Sequence, residues 1–124
     1  MDRGSIPLEG AKRNIHMKIF YGFNEKEILL DEVLLNVPNG WHGIVTKLIQ
    51  DLEAMGWDGK LIQIKEKFGG LRFYTKYETD SLQKRISETE EESYATCQKC
   101  GKPGKARNFS GWISTVCEEH SVLN

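Results

Sequence analysis

Cysteine is scarce in this 124-residue chain, and its three thiols are too few and too odd in number to close a disulfide framework. Long apolar runs are missing as well. The longest, Ile28-Leu29-Leu30 and Val33-Leu34-Leu35, are three residues each, far short of a membrane span, and the N-terminus has no hydrophobic signal core. Neither sign of charge dominates: 17 Lys and Arg face 18 Asp and Glu, for a net charge of −1, so no global field draws in a polyanion. The length excludes a two-domain enzyme. Several catalytic signatures are absent: there is no phosphate-binding Gly-x-x-x-x-Gly-Lys-Ser/Thr, no His-Glu-x-x-His and no nucleophile elbow. These absences leave one compact unit, at most with a small appendage, expected in the reducing cytoplasm.

The chain divides into three parts. Residues 1–16 hold Gly4, Pro7 and Gly10 among mixed charges with no apolar period, and are expected to be a flexible leader. The His16-Met17 junction has the look of a cloning remnant, with Met17 as the natural start. Residues 17–95 read as an α+β body, and residues 96–124 as a zinc-binding module packed on it.

Within the body, the segment KIFYGF from Met17 onward is β-prone. Ile28 to Val37 satisfies neither period cleanly and fits two short strands or a strand and a short helix. Pro38-Asn39-Gly40 breaks the chain. Trp41, Ile44, Val45, Leu48, Leu52 and Met55 then recur at spacings of three and four, which predicts a helix stopping near Gly56. Trp41, His42 and Trp57 are expected in the core or at the helix ends. Residues 61–77 read as a β-hairpin turning at Gly69-Gly70, with Phe68 opposite Leu71, Glu66 opposite Phe73 and Ile64 opposite Thr75. That register puts the apolar side chains on one face and Gln63, Lys65, Lys67, Arg72, Tyr74 and Lys76 on the other. A second helix is expected from an Asp80 N-cap to Ser93 or Tyr94. Glu88, Glu90, Glu91 and Glu92 oppose its dipole, so its C-terminal end needs support from outside.

The C-terminal part carries the strongest signal. Cys97-Gln-Lys-Cys100-Gly101 has the form of a zinc knuckle, in which the glycine permits a left-handed backbone after the second thiolate. Cys117-Glu-Glu-His120 suits the first turn of a short helix, where a spacing of three puts both side chains on one side. Sixteen residues between the pairs leave room for a hairpin, and knuckle, hairpin and ligand-bearing helix is the treble-clef order. Phe109, Trp112 and Val116 are expected to pack the knuckle on the body. A redox Cys-x-x-Cys would open a helix, which Gly101, Pro103 and Gly104 oppose. A Cys/His catalytic pair would need an orienting group that is not apparent. Four ligands close the shell and leave no site for a catalytic water, so the expected Zn2+ is structural, held by Cys97, Cys100, Cys117 and His120.

The blocks IKEKFGGLRFY (64–74) and CQKCGKPG with GWISTVCEEH (97–104 and 111–120), joined by a charged helix, resemble a family of small uncharacterised bacterial and phage proteins. The resemblance spans roughly residues 38–121. It implies a cytoplasmic, mobile-element setting and a zinc site, and no particular reaction.

The leading expectation is an α+β domain, a β-hairpin packed with two helices and closed by a treble-clef-like zinc module. It would act as a non-enzymatic interaction module that binds another protein, in phage or mobile-element biology. The alternative is a nucleic-acid-binding protein. Lys65, Lys67, Arg72 and Lys76 around Tyr74 offer cations and a ring for phosphate contact and base stacking. Against it, the acidic helix could lie across this strip and neutralise it. Lys99, Lys102, Lys105 and Arg107 form a second basic cluster on the knuckle. An enzyme of unassigned type stands third.

Overall fold

The computed structural model describes residues 18–121, and the expected leader, residues 1–16, lies outside them. The body is a mixed α+β unit. Strands β1 (Ile19–Tyr21) and β2 (Lys26–Ile28) pair antiparallel across a tight turn. The ambiguous stretch resolves as the end of β2 and a short helix, α1 (Leu30–Leu34), which buries Val33 and Leu34. The break at Pro38 opens a single 3-10 turn over Asn39–Trp41, and helix α2 (His42–Ala54) follows directly. Its buried residues Val45, Leu48, Ile49 and Leu52 keep the expected three- and four-residue spacing. Gly56, at φ +91°, ends it as the left-handed residue that only glycine adopts without strain.

Strands β3 (Lys60–Lys67) and β4 (Gly70–Thr75) complete a four-stranded sheet of order β2-β1-β3-β4, in which β1 runs parallel to β3 and α1 and α2 lie on the connection between them. Helix α3 (Asp80–Ser93) brings the count among the described residues to three helices rather than two. Its N-cap is Thr79, whose side chain accepts the Leu82 N–H, and not Asp80. Residues from every body element except β2 form one apolar core, with Trp41, Val45, Leu48, Ile49, Leu52 and Leu61 fully buried.

The hairpin register differs from expectation by two residues. Ile64 lies opposite Phe73, Glu66 opposite Leu71 and Lys67 opposite Gly70, so the turn is Phe68-Gly69 rather than Gly69-Gly70. Phe68 accepts φ +52° and is 66% exposed, not buried. Three contacts explain the choice. Glu66 takes the Gly69 N–H at 2.8 Å, Gly69 lies against Ile113 and Thr115, and Gly70 lies against the Tyr94 ring, where a Cβ would come within 2.1 Å. Both glycines are thus used for close approach to other elements, and a non-glycine residue must take the first turn position. A shift of two preserves the faces, and Ile64, Leu71 and Phe73 stay buried. An irregularity between Leu61 and Gln63 absorbs the rest.

Helix α3 runs along the open edge of β4 rather than across its basic face. Ser93 Oγ accepts the Leu71 N–H at 2.8 Å, and a Glu90 carboxylate oxygen accepts the Phe73 N–H at 2.9 Å. Two outward amides of an edge strand are thereby satisfied by side chains. The acidic C-terminal half of the helix also meets Arg72, whose guanidinium donates to Tyr94 Oη at 3.0 Å. Nearer the middle of α3, Arg85 pairs with Asp51 of α2 at 2.9 Å and ties the two helices together.

The C-terminal part forms a separate two-stranded sheet of β5 (Lys105–Phe109) and β6 (Trp112–Val116), followed by a 3-10 turn over Glu118–His120. A three-residue turn stands where a short helix was expected. No helix among the described residues is long and apolar enough to cross a membrane.

Candidate metal centre

The knuckle is built by local backbone geometry. Cys97 sits at the end of the segment leaving α3, where its N–H donates to the Lys102 carbonyl at 2.8 Å and its carbonyl accepts the Gly101 N–H at 2.9 Å. Gly101 takes φ +83°, which turns the chain back after Cys100. The Lys99 N–H points at Cys97 Sγ from 3.4 Å. The hairpin then returns the chain so that Cys117 directly follows β6 and the turn it caps swings His120 back. A spacing of three brings Cys117 Sγ and His120 Nδ1 to 3.3 Å.

The two pairs converge. Cys100 Sγ lies 3.7 Å from Cys117 Sγ, and Cys97 Sγ lies 3.7 Å from His120 Nδ1. All four donor atoms fall within 4.8 Å of one another, and all three cysteines are free thiols. Cys97 and Cys117 are buried, His120 is half-buried and Cys100 is exposed, so the cluster meets solvent chiefly at one corner. This cluster can hold a metal ion.

Electrostatics favours the same use. Burial opposes ionisation at Cys97, but backbone N–H groups of Cys117, Cys100 and Lys99, together with the Cys100 thiol, outweigh it and bring the pKa from 9.0 down to about 6. At Cys100 the Lys102 amide favours the thiolate, yet desolvation and the adjacent Cys97 and Cys117 sulfurs prevail and push its pKa up. Crowded sulfurs resist ionising together unless a cation compensates them.

The centre is fastened to the body at two glycine-lined points. Gly40 donates to the Gln98 carbonyl at 2.7 Å, and a Cβ at Gly40 would stand 2.0 Å from the Cys97 carbonyl oxygen. Beside it, the indole N–H of Trp41 donates to the Thr96 carbonyl at 2.9 Å in a buried bond. The second point is the β3–β4 turn, where buried Thr115 Oγ1 donates to the Gly69 carbonyl at 2.6 Å. Gln98 joins the two points, since its side-chain oxygen accepts the Thr115 N–H and its own N–H reaches the Thr115 carbonyl. Segments 64–74 and 97–120 therefore touch each other here.

The strand face that does this was misassigned from sequence. Ile113 and Thr115 face the body, whereas Trp112 is 68% exposed on the opposite face. Val116 is buried and Phe109 packs at the edge of the small cluster around the cysteines. Strand alternation makes Trp112, Ser114 and Val116 share one face and Ile113 and Thr115 the other. The hydroxyl of Thr115, able to bond a turn carbonyl, selects which face docks.

The basic strip of the body is only partly assembled. Lys65 and Arg72 are cross-strand neighbours and Tyr74 is 44% exposed, so these three share a face as expected. Lys76 is drawn away, pairing with Glu25 of the β1–β2 turn at 2.7 Å, and Lys67 lies 5.6 Å over the Phe68 ring. Among the described residues, neither Lys65 nor Lys67 forms an ion pair; Lys67 is exposed and Lys65 half-buried.

Comparison with protein-family models, with curated proteins and with solved structures finds no match for this chain.

Proposed function

We propose that the chain is a non-enzymatic interaction module whose C-terminal part is a treble-clef-like unit ordered by a structural Zn2+. The observation that carries this reading is the convergence of Cys97, Cys100, Cys117 and His120. A tetrahedral zinc with sulfur ligands at about 2.3 Å and nitrogen at about 2.0 Å has S···S edges of about 3.8 Å and S···N edges of about 3.5 Å. The distances of 3.7, 3.7 and 3.3 Å fit that frame. Four protein donors fill the shell, three of them thiolates, which favours a structural over a catalytic ion. The knuckle, the β5–β6 hairpin and the terminal ligand turn follow one another in treble-clef order, with a 3-10 turn in place of the helix.

The zinc would hold Gln98 against both Gly40 and Thr115 and so fix the outward face of the β5–β6 hairpin. The partner meets surface rather than reactive groups. Sequence reasoning ranks a protein first among partners and a nucleic acid second; the placement of exposed rings beside unpaired cations favours the reverse order, at Tyr74 with Lys65 and at Trp112 on the hairpin.

Metal analysis of protein purified without chelator should find about one zinc per chain. Cys100→Ser, at the solvent-facing corner, should lower zinc content and the melting temperature together. A full complement of zinc in Cys100→Ser, or none in the parent chain, would overturn the assignment.

A further inference from the structure

We infer that the outward face of the β5–β6 hairpin is a binding site for single-stranded nucleic acid. The inference rests on the interaction-module reading and names its partner. A 740 Å3 groove lies between the knuckle, the Pro38 turn and this hairpin, with Lys99, Phe109, Trp112, Val116 and His120 among its walls. That volume falls within the roughly 300–1,000 Å3 of clefts that take small ligands. No carboxylate lines it.

The hairpin register arranges the chemistry in order along one face. Phe109 pairs with Trp112, Arg107 with Ser114 and Lys105 with Val116, so two rings stand at one end and two cations follow along β5. Lys99 adds a third cation from the knuckle. Among the described residues none of these three cations forms an ion pair. Arg107 is steadied by donating Nε–H to the Val116 carbonyl at 3.3 Å.

An exposed indole followed by unpaired cations suits a base stacked on a ring with its flanking phosphates on Lys and Arg. A duplex keeps its base faces covered and could use only the cations. A purely apolar peptide would leave the cations unmet, and an acidic one would leave the ring without a flat partner. The overall charge of −1 is no obstacle, because Lys99, Lys105 and Arg107 make this face locally basic and no carboxylate lines its groove.

Trp112 is also the natural reporter, since Trp41 and Trp57 are buried and it alone of the three indoles is exposed. The test is titration of the zinc-loaded full chain with oligothymidylate and oligouridylate of about twelve nucleotides, read by indole fluorescence and by anisotropy of a labelled strand. Binding should quench Trp112. It should also weaken about 20-fold between 50 and 200 mM salt, as roughly three phosphate contacts require for a single strand. Trp112→Ala should reduce affinity about 10- to 100-fold while zinc content and melting temperature stay unchanged, and Trp112→Phe should recover most of it.

Binding of either DNA or RNA single strands through this face supports the inference. Absence of binding at low salt by zinc-loaded chain overturns it. So does equal affinity for a duplex, or loss of binding in Lys65→Ala/Lys67→Ala with none in Trp112→Ala, which would move the site to the body sheet. Salt-insensitive capture of an apolar peptide by the Trp112 groove, with no oligonucleotide competition, would make the partner a protein instead. A chain without zinc would fail the earlier reading and is recognised separately by metal analysis of the same sample.

Discussion

The body buries sixteen apolar side chains in one cluster, from Ile19 to Ile86, whereas the cluster of the C-terminal module holds three buried residues among the described ones, of which two are thiols. The same contrast shows in the helices. The body has α2 and α3 packed on each other and on the sheet, while the module has a two-stranded sheet and a three-residue turn. A two-stranded sheet with so few buried neighbours is marginal by itself. The body can therefore stand on hydrophobic burial, and under the proposed reading the module would depend on a bound ion. The two are joined through glycine contacts at Gly40 and Gly69, where side chains are excluded so that backbone meets backbone or a hydroxyl.

Three substitutions sharpen this comparison. Leu48→Ala removes a fully buried side chain from the body core and should destabilise the whole chain by about 2–5 kcal/mol, read by chemical denaturation, with zinc stoichiometry intact in the folded fraction. A smaller and more local effect is expected from Gly40→Ala. Its Cβ would collide with the Cys97 carbonyl, so the contact must open at a cost of about 1–3 kcal/mol. Amide exchange should then quicken in residues 96–121 and stay slow in α2; uniform quickening would mean that the two parts are not separable at this joint.

The smallest effect concerns Glu90. Burial raises its carboxyl pKa, against the Phe73 N–H and Arg72, which lower it. A carboxyl raised in the folded state adds stability that is fully present below its unfolded pKa and lost as pH rises through the folded value. Glu90→Gln keeps an oxygen for the Phe73 N–H and removes the charge. It should be slightly more stable than the parent at neutral pH, with the advantage vanishing on acidification; a loss at neutral pH would show that attraction to Arg72 outweighs burial.

Different parts of the molecule were legible to different degrees. The cluster of Cys97, Cys100, Cys117 and His120 could be read from spacing, because a tetrahedral site would draw on local turns that a two-residue gap encodes directly. Helices α2 and α3 could be read from period. The register of β3 and β4 could not, because the choice between Phe68-Gly69 and Gly69-Gly70 depends on what Gly69 and Gly70 touch: Thr115 and Tyr94, distant in sequence. The docking face of β6 was hidden for a related reason. Trp112 is the larger apolar residue and Thr115 the smaller polar one, yet a buried hydroxyl with a turn carbonyl to satisfy decides the orientation. The clue in the sequence was alternation, which puts Trp112 on the same side as Val116, and both line the groove. The parallel pairing of β1 with β3 joins strands separated by two helices and leaves no short-range trace.

Chelation followed by residue-resolved amide exchange tests the central claim most directly. With the metal removed, residues 97–120 should lose protection, since structural zinc supplies an apparent 10 kcal/mol or about that much to small domains, while α2, β3 and β4 stay protected and readdition of Zn2+ restores the rest. Unchanged protection of β5, β6 and the knuckle after complete metal removal would contradict the account.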